Sequence, residues 1–282
     1  MKILTPSNLD EALSMLADEP ALTPIAGGTD LLVHWPGNLE ARKRDYLDLS
    51  RMRESQSGIV WDDDRVTLGP LTTYWDAITD DRFKAEFPIL IVAARQVGAV
   101  QIQTRGTWAG NICNGSPVAD GVPALMAVDA QVELRSAKGS ETIPLDRFYT
   151  GYKQSRMQRD QLVTGITIPR REYTTQFFEK VGSRKAQAIT KVGVAVTHSD
   201  KTGWRVVSNA MAAVIMRCEA IEALLSSDTE IRKPEDLLGA VDADMTPIDD
   251  LRSTAAYRRA VFARILFHAL RERNVRVTTD AG

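Results

Sequence analysis

The sequence predicts a mixed α+β protein built from two modest units. Helical and strand-like periods alternate along the chain with no internal repeat. A polar stretch, Arg170 to Thr175, separates a longer first series of elements from a second that begins at Gln176. At 282 residues the chain is too long for one minimal core and too short for several large domains.

Taken in order, Ile3-Leu4 reads as a short strand, and Ser7 followed by Asp10, with Leu9, Ala12, Leu13 and Leu16, predicts a capped amphipathic helix. Thr23 to Ala26 reads as a strand running into Gly27-Gly28, where the backbone can turn sharply before a helical stretch at Asp30 to Val33. Tyr46 to Leu49 and Val66 to Leu68 are strand-like, Thr73 with Asp76 opens a helix, and Ile89 to Val97 supplies another. Between Val100 and Pro123 the residues Gly106, Gly110, Gly115, Pro117 and Gly121 break every period, which predicts a long ordered loop. Gln131 to Arg135, a turn at Lys138-Gly139, and the alternation of Leu162, Ile166 and Ile168 predict antiparallel sheet. The second unit reads as strands Ile189 to Thr197 and Trp204 to Val214, helices near Glu219 to Leu225 and Pro234 to Leu238, and a closing helix from Ser253 to Arg273. Arg258, Arg259, Arg264 and Arg271 on that helix either meet a partner or, as a charged helix face more often does, stand in solvent, and of the adjacent Phe177 and Phe178 one ring is expected to point inward.

Composition excludes several function classes. The net charge is -2 with Lys and Arg dispersed, so there is no electrostatic footprint for nucleic acid. The first residues carry no secretory pattern and no apolar run approaches membrane-spanning length, so a cytoplasmic protein without membrane insertion is expected. Cys113 and Cys218 are too few to ligate an iron–sulphur cluster, and His34, His198 and His268 lack any ligand spacing, so such a metal centre must reside on another chain.

Two segments carry candidate chemistry. Ala26-Gly27-Gly28-Thr29-Asp30-Leu31 places successive backbone N–H groups beside a hydroxyl, an arrangement that either cradles a phosphate or simply reverses the chain. It lacks the G-x-G-x-x-G spacing of a Rossmann dinucleotide site. The second segment, Thr107-Trp108-Ala109-Gly110-Asn111 continuing to Ser116 and Asp120, concentrates small residues, hydroxyls and amides that allow a rigid polar ligand close to the backbone. Asp120 either holds a ribose hydroxyl or ring nitrogen or caps the helix through Pro123, and Ser116 has the same two readings.

On these segments the chain resembles the FAD-binding medium subunits of the xanthine dehydrogenase and carbon monoxide dehydrogenase group, the molybdenum hydroxylases. The resemblance extends through Gln101-Ile102-Gln103, Pro123 to Ala130, Ile166-Thr167-Ile168-Pro169, Lys191 to Val196 and Pro247 to Ser253 with Tyr257 to Arg259. It implies a two-part FAD-binding domain of the vanillyl-alcohol-oxidase (PCMH) type over 1–173, with subdomains of about 1–55 and 56–173. A smaller α+β carboxy-terminal domain of the carbon monoxide dehydrogenase flavoprotein type would follow over 176–282. It implies that Ala26 to Leu31 and Thr107 to Asn111 wrap the FAD pyrophosphate and approach the flavin, and that Ser116, Asp120, Val163 and Lys180 contact the cofactor. Ala109 stands where the family has the first glycine of T-x-G-G-N, so that position must accept a methyl group in an ordinary backbone conformation. Phe178 stands where carbon monoxide dehydrogenase-like members often carry a tyrosine.

The resemblance further implies an electron-transfer subunit with no catalytic acid, base or nucleophile of its own. Electrons would come from two 2Fe-2S clusters on a small iron–sulphur subunit, and a molybdopterin cofactor would sit on a large subunit. The assembly would be a heterotrimer or a dimer of heterotrimers, and the external acceptor could be NAD, oxygen or a quinone. Two rival readings differ in class: a self-contained flavin oxidase with its own substrate, and a flavin-free assembly scaffold.

Overall fold

The computed structural model describes residues 1–34, 37 and 43–275. The chain opens with a three-stranded parallel sheet, β1 (Ile3–Leu4), β2 (Thr23–Ile25) and β3 (Tyr46–Asp48), in the order β1-β3-β2. Helix Leu9–Asp18 buries Ala12, Leu13 and Leu16 in a small core with Leu47 and Leu49. Its cap is Asn8, one residue later than the expected Ser7. The Asn8 side chain accepts from the Glu11 N–H, while the Ser7 N–H and hydroxyl both donate to the Glu11 carboxylate.

Next come β4 (Ile59–Trp61), β5 (Arg65–Leu68), β6 (Gln131–Ser136), β7 (Gly139–Pro144), the hairpin β8 (Tyr149–Gly151) and β9 (Gln154–Ser155), and β10 (Leu162–Pro169). All but the hairpin form an antiparallel sheet in the order β4-β5-β10-β6-β7. Its inward residues, among them Val66, Leu68, Val132, Leu134, Ile166 and Ile168, pack under helices Tyr74–Thr79, Pro88–Gln96, Trp108–Asn114 and Gly121–Ala127. Thr73 caps the first of these in a capping box with Asp76.

The expected loop from Val100 to Pro123 is instead three short helices, Val100–Gln103, Trp108–Asn114 and Gly121–Ala127. Its glycines punctuate helices rather than prevent them. Gly106 lies between the first two, Gly115 ends the second in the left-handed conformation at φ 60°, and Gly121 begins the third. Thr107 starts the middle helix by accepting from the Gly110 N–H at 3.0 Å.

The second unit is an antiparallel meander of β11 (Thr175–Val181), β12 (Val192–Ser199), β13 (Gly203–Asn209) and β14 (Met216–Arg217). β12 starts three residues after the expected Ile189, and β13 stops at Asn209 because Ala210 turns left-handed at φ 64°. Helices Glu219–Ser226 and Ala255–Glu272 cover one face. The other face packs on the first unit, with Phe178, Ala195, Val207 and Ile215 in the same core as helix Gly121–Ala127.

Both Phe177 and Phe178 are therefore buried, one on each side of the sheet, since β11 has no solvent face there. Arg258 also departs from expectation. It is 3% exposed, and its guanidinium donates to the Lys191 and Ala210 carbonyls and to Asp250. The open carbonyls at the ends of β12 and β13 need a donor, and the helix supplies this one.

Candidate cofactor-binding site

A cavity of about 490 Å³ opens where the parallel sheet, the antiparallel sheet and helix Trp108–Asn114 meet. Ala26, Gly27, Gly28, Thr29, Asp30 and Leu31 line it from one side, Thr107, Ala109, Gly110 and Asn111 from another, and Val163 from β10. Two segments some eighty residues apart are thus brought to one wall. They are stitched directly: the Arg105 Nε–H donates to the Gly27 carbonyl at 3.4 Å, and Asn114 donates to the Asp30 carboxylate at 3.1 Å.

Gly27 is required by this approach. A Cβ at that position would lie 1.9 Å from the Arg105 carbonyl oxygen, so any side chain would push the loops apart. Among the described residues, the N–H groups of Gly27, Gly28, Thr29, Asp30 and Leu31 donate to no backbone carbonyl, and neither does that of Ala109. Amides left unpaired at a cavity wall suit an anionic ligand that brings its own acceptors. Ala109 sits in the first turn of its helix, its methyl group 5% exposed, and its backbone is not left-handed. The departure from T-x-G-G-N is accommodated as the sequence required.

The other sequence-selected residues lie elsewhere. Trp108 is fully buried behind the wall, its ring 4.7 Å from that of Tyr74. Ser116 accepts from the Val118 N–H at 3.4 Å within its own turn. Asp120 precedes helix Gly121–Ala127 without capping it through its side chain. Its carboxylate instead accepts from Lys180 Nζ and Thr190 Oγ1, each at 2.6 Å. Burial pushes this carboxyl above its ordinary value, against the opposing pull of the Lys180 ammonium. Asp120, Lys180, Ser116 and Trp108 are not on the cavity wall.

Wall residues that sequence reasoning passed over include Pro70, Leu71, Tyr74, Val97, Ile102, Cys113, Asn114, Lys153, Met157 and Leu162. Cys113 and Asn114 lie inside the second sequence segment and were within reach of it. Lys153 carries no local signal, because its place depends on how the β8–β9 hairpin folds back.

Residues 1–171 match the family described as the FAD binding domain in molybdopterin dehydrogenase, and residues 177–273 match the carbon monoxide dehydrogenase flavoprotein carboxy-terminal domain. The chain belongs to the FAD-binding subunits of the molybdopterin dehydrogenases. A xanthine dehydrogenase FAD-binding subunit from Escherichia coli O157:H7 is 26% identical over 259 residues, covering 89% of this chain and 88% of that one. The nicotinate dehydrogenase FAD-subunit of Eubacterium barkeri is 30% identical over 199 residues, 68% of this chain and 66% of its own. Among solved structures, a chain of carbon monoxide dehydrogenase from Hydrogenophaga pseudoflava superposes with a TM-score of 0.87 at 26% identity, covering 99% of this chain and 98% of that chain.

As a member of this family the chain is an FAD-binding oxidoreductase subunit, and its cavity fits that cofactor. The volume lies within the range of about 300–1,000 Å³ usual for small-molecule sites. Its wall combines unpaired amides from both segments with apolar surface, the two kinds of chemistry that a dinucleotide with a pyrophosphate and two ring systems needs.

Proposed function

We propose that this chain relays electrons within a molybdenum hydroxylase, from two 2Fe-2S clusters on a small partner subunit to an external acceptor. The organic substrate would react at a molybdopterin cofactor on a large subunit, in a cytoplasmic heterotrimer or dimer of heterotrimers. FAD supplies the electron storage when bound, taking up electrons singly and releasing two together. The amides of Gly27 to Leu31 and of Ala109 would hold its phosphates without a metal, and Thr107, locked as a helix cap, keeps the second group of donors in place. Val163 lines the wall beside a register shift in the pairing of β10 with β6.

The observation that carries this reading is the composition of the wall. Among the described residues it carries amides from both segments with Asp30 as its single carboxylate and no histidine, a lining that suits the seat of a bound redox cofactor. Among the described residues no helix is long and apolar enough to cross a membrane.

The test is to purify the chain from its native source, identify the proteins that accompany it, and assay molybdenum, iron and FAD in one sample. All three with two partner chains are expected. FAD without partners would replace this reading with a self-contained oxidase, and partners without FAD would replace it with a scaffold.

A further inference from the structure

We propose that Arg105 is a positioning residue for the cofactor: it locks the Gly27–Gly28 peptide in the orientation that aims the Gly28 N–H at a phosphate of bound FAD. The inference rests on the cofactor reading above and adds a residue and a role to it.

Behind the first loop lies a second, smaller hollow of about 120 Å³, whose lining includes Ala26, Gly27, Ser50, Arg53, Arg105 and Thr107. It shares Ala26, Gly27 and Thr107 with the cofactor cavity, whereas Arg105 lines only the hollow and Gly28 only the cavity. The Gly27–Gly28 peptide is the partition between the two. From the hollow, the Arg105 Nε–H donates to the Gly27 carbonyl at 3.4 Å. No peptide bond among the described residues is cis, and in a planar trans peptide the C=O and the following N–H point in opposite directions. With its carbonyl turned toward Arg105, the peptide turns the Gly28 N–H the other way, to the cavity side. That N–H donates to no backbone carbonyl among the described residues, so it is left for a ligand.

A peptide between two glycines needs such a lock, because no side chain on either residue resists its rotation. Gly28 stands at φ 70°, and a half-turn of the peptide plane would carry it to negative φ, which glycine adopts as readily. The turned peptide would present its carbonyl oxygen to the cavity, where it repels a phosphate. Among the described residues no backbone N–H donates to the Gly27 carbonyl, so the Arg105 side chain is what holds it. The other arginine of the hollow is engaged elsewhere: Arg53 pairs with Asp76 at 3.5 Å and donates to the Thr104 carbonyl at 3.5 Å. Arg105 is itself brought into place by its backbone, whose carbonyl oxygen approaches Gly27 so closely that a Cβ there would lie 1.9 Å from it. The contact that demands glycine at position 27 thus also delivers the side chain that fixes its peptide.

The experiment titrates the flavin-stripped full chain with FAD, ADP and riboflavin, comparing the unsubstituted protein with Arg105→Met and Arg105→Gln. Arg105 is exposed, so neither change disturbs a core. Glutamine carries an Nε2–H donor at the same point along the side chain as the arginine Nε, without the charge, and methionine matches the length without a donor. Loss of the one hydrogen bond that holds the competent peptide is expected to weaken binding of FAD and ADP by Arg105→Met about tenfold. Arg105→Gln is expected to keep the unsubstituted affinity, and riboflavin, which has no phosphate, to bind all the proteins alike. Unchanged FAD binding by the methionine variant overturns the proposal, as does an equal loss for riboflavin or a glutamine variant as weak as the methionine one. Failure of the unsubstituted chain to bind either FAD or ADP would instead overturn the cofactor reading itself.

Discussion

The Lys180 ammonium, on β11 of the second unit, donates to the Asp120 carboxylate at 2.6 Å, at the start of the helix that packs behind the cofactor cavity. Both side chains are nearly enclosed, 6% and 10% exposed, and Lys180 also donates to the Gln96 carbonyl while Asp120 accepts from Thr190. Removing one partner leaves the other charge buried and unpaired. Lys180→Met and Asp120→Ala are each expected to cost about 3–5 kcal/mol, and the double variant much less than their sum. Urea denaturation of the four proteins measures this, and strict additivity would show that the pair does not act as a unit.

Gly27→Ala is expected to lose most of its bound FAD, because the methyl group must displace the Arg105 carbonyl that closes the two loops together. The measurement is flavin content per chain after gel filtration, with circular dichroism to confirm the fold. Wild-type flavin content in a folded variant would place the cofactor away from these loops.

Glu86 predicts an acid limb of stability. Arg170 donates to both of its oxygens, at 2.8 and 2.9 Å, and Arg82 adds a third bond at 3.0 Å. The Arg170 hydrogen bonds hold the carboxyl below its ordinary value. Since the folded value lies below the unfolded one, the stabilisation is fully present above about pH 4.3 and is lost as pH falls through the folded value. Melting temperatures taken from pH 6 to pH 3 should therefore fall less steeply for Glu86→Gln than for the unsubstituted chain. Parallel curves would remove Glu86 from the acid response.

The two faces of β11 make opposite predictions for neighbouring residues. Phe178 packs with the first unit and Phe177 with the closing helices. Each alanine substitution is expected to cost about 3–5 kcal/mol. Calorimetry should show one cooperative transition for the unsubstituted chain and for Phe177→Ala, but two for Phe178→Ala, where the shared core is cut. A single transition in all three would mean the units are joined mainly elsewhere.

Local sequence determined what local physics controls. The 3.6-residue period of Leu9 to Leu16, the Thr73-Asp76 box and the alternation of Leu162, Ile166 and Ile168 each settle an element from side chains within one or two turns of it. Both loops of the site were legible for a similar reason, since small residues in series have few roles other than close backbone approach. The series from Val100 to Pro123 misled because glycine marks a helix end as readily as a loop, and Thr107 and Gly115 turn it into caps.

Tertiary structure decided what depends on distant partners. Phe177 and Phe178 are buried together because the sheet lies between two cores, and Arg258 is buried because strand-end carbonyls from β12 and β13 need a donor. Asp120, open in the sequence to a ribose or a helix cap, is claimed by Lys180 and Thr190 from sixty and seventy residues away. Lys153 reaches the cavity because its hairpin folds against Gly115. In each case the deciding interaction joins segments whose proximity no local pattern encodes, and burial makes an unpaired polar group costly enough to fix the choice.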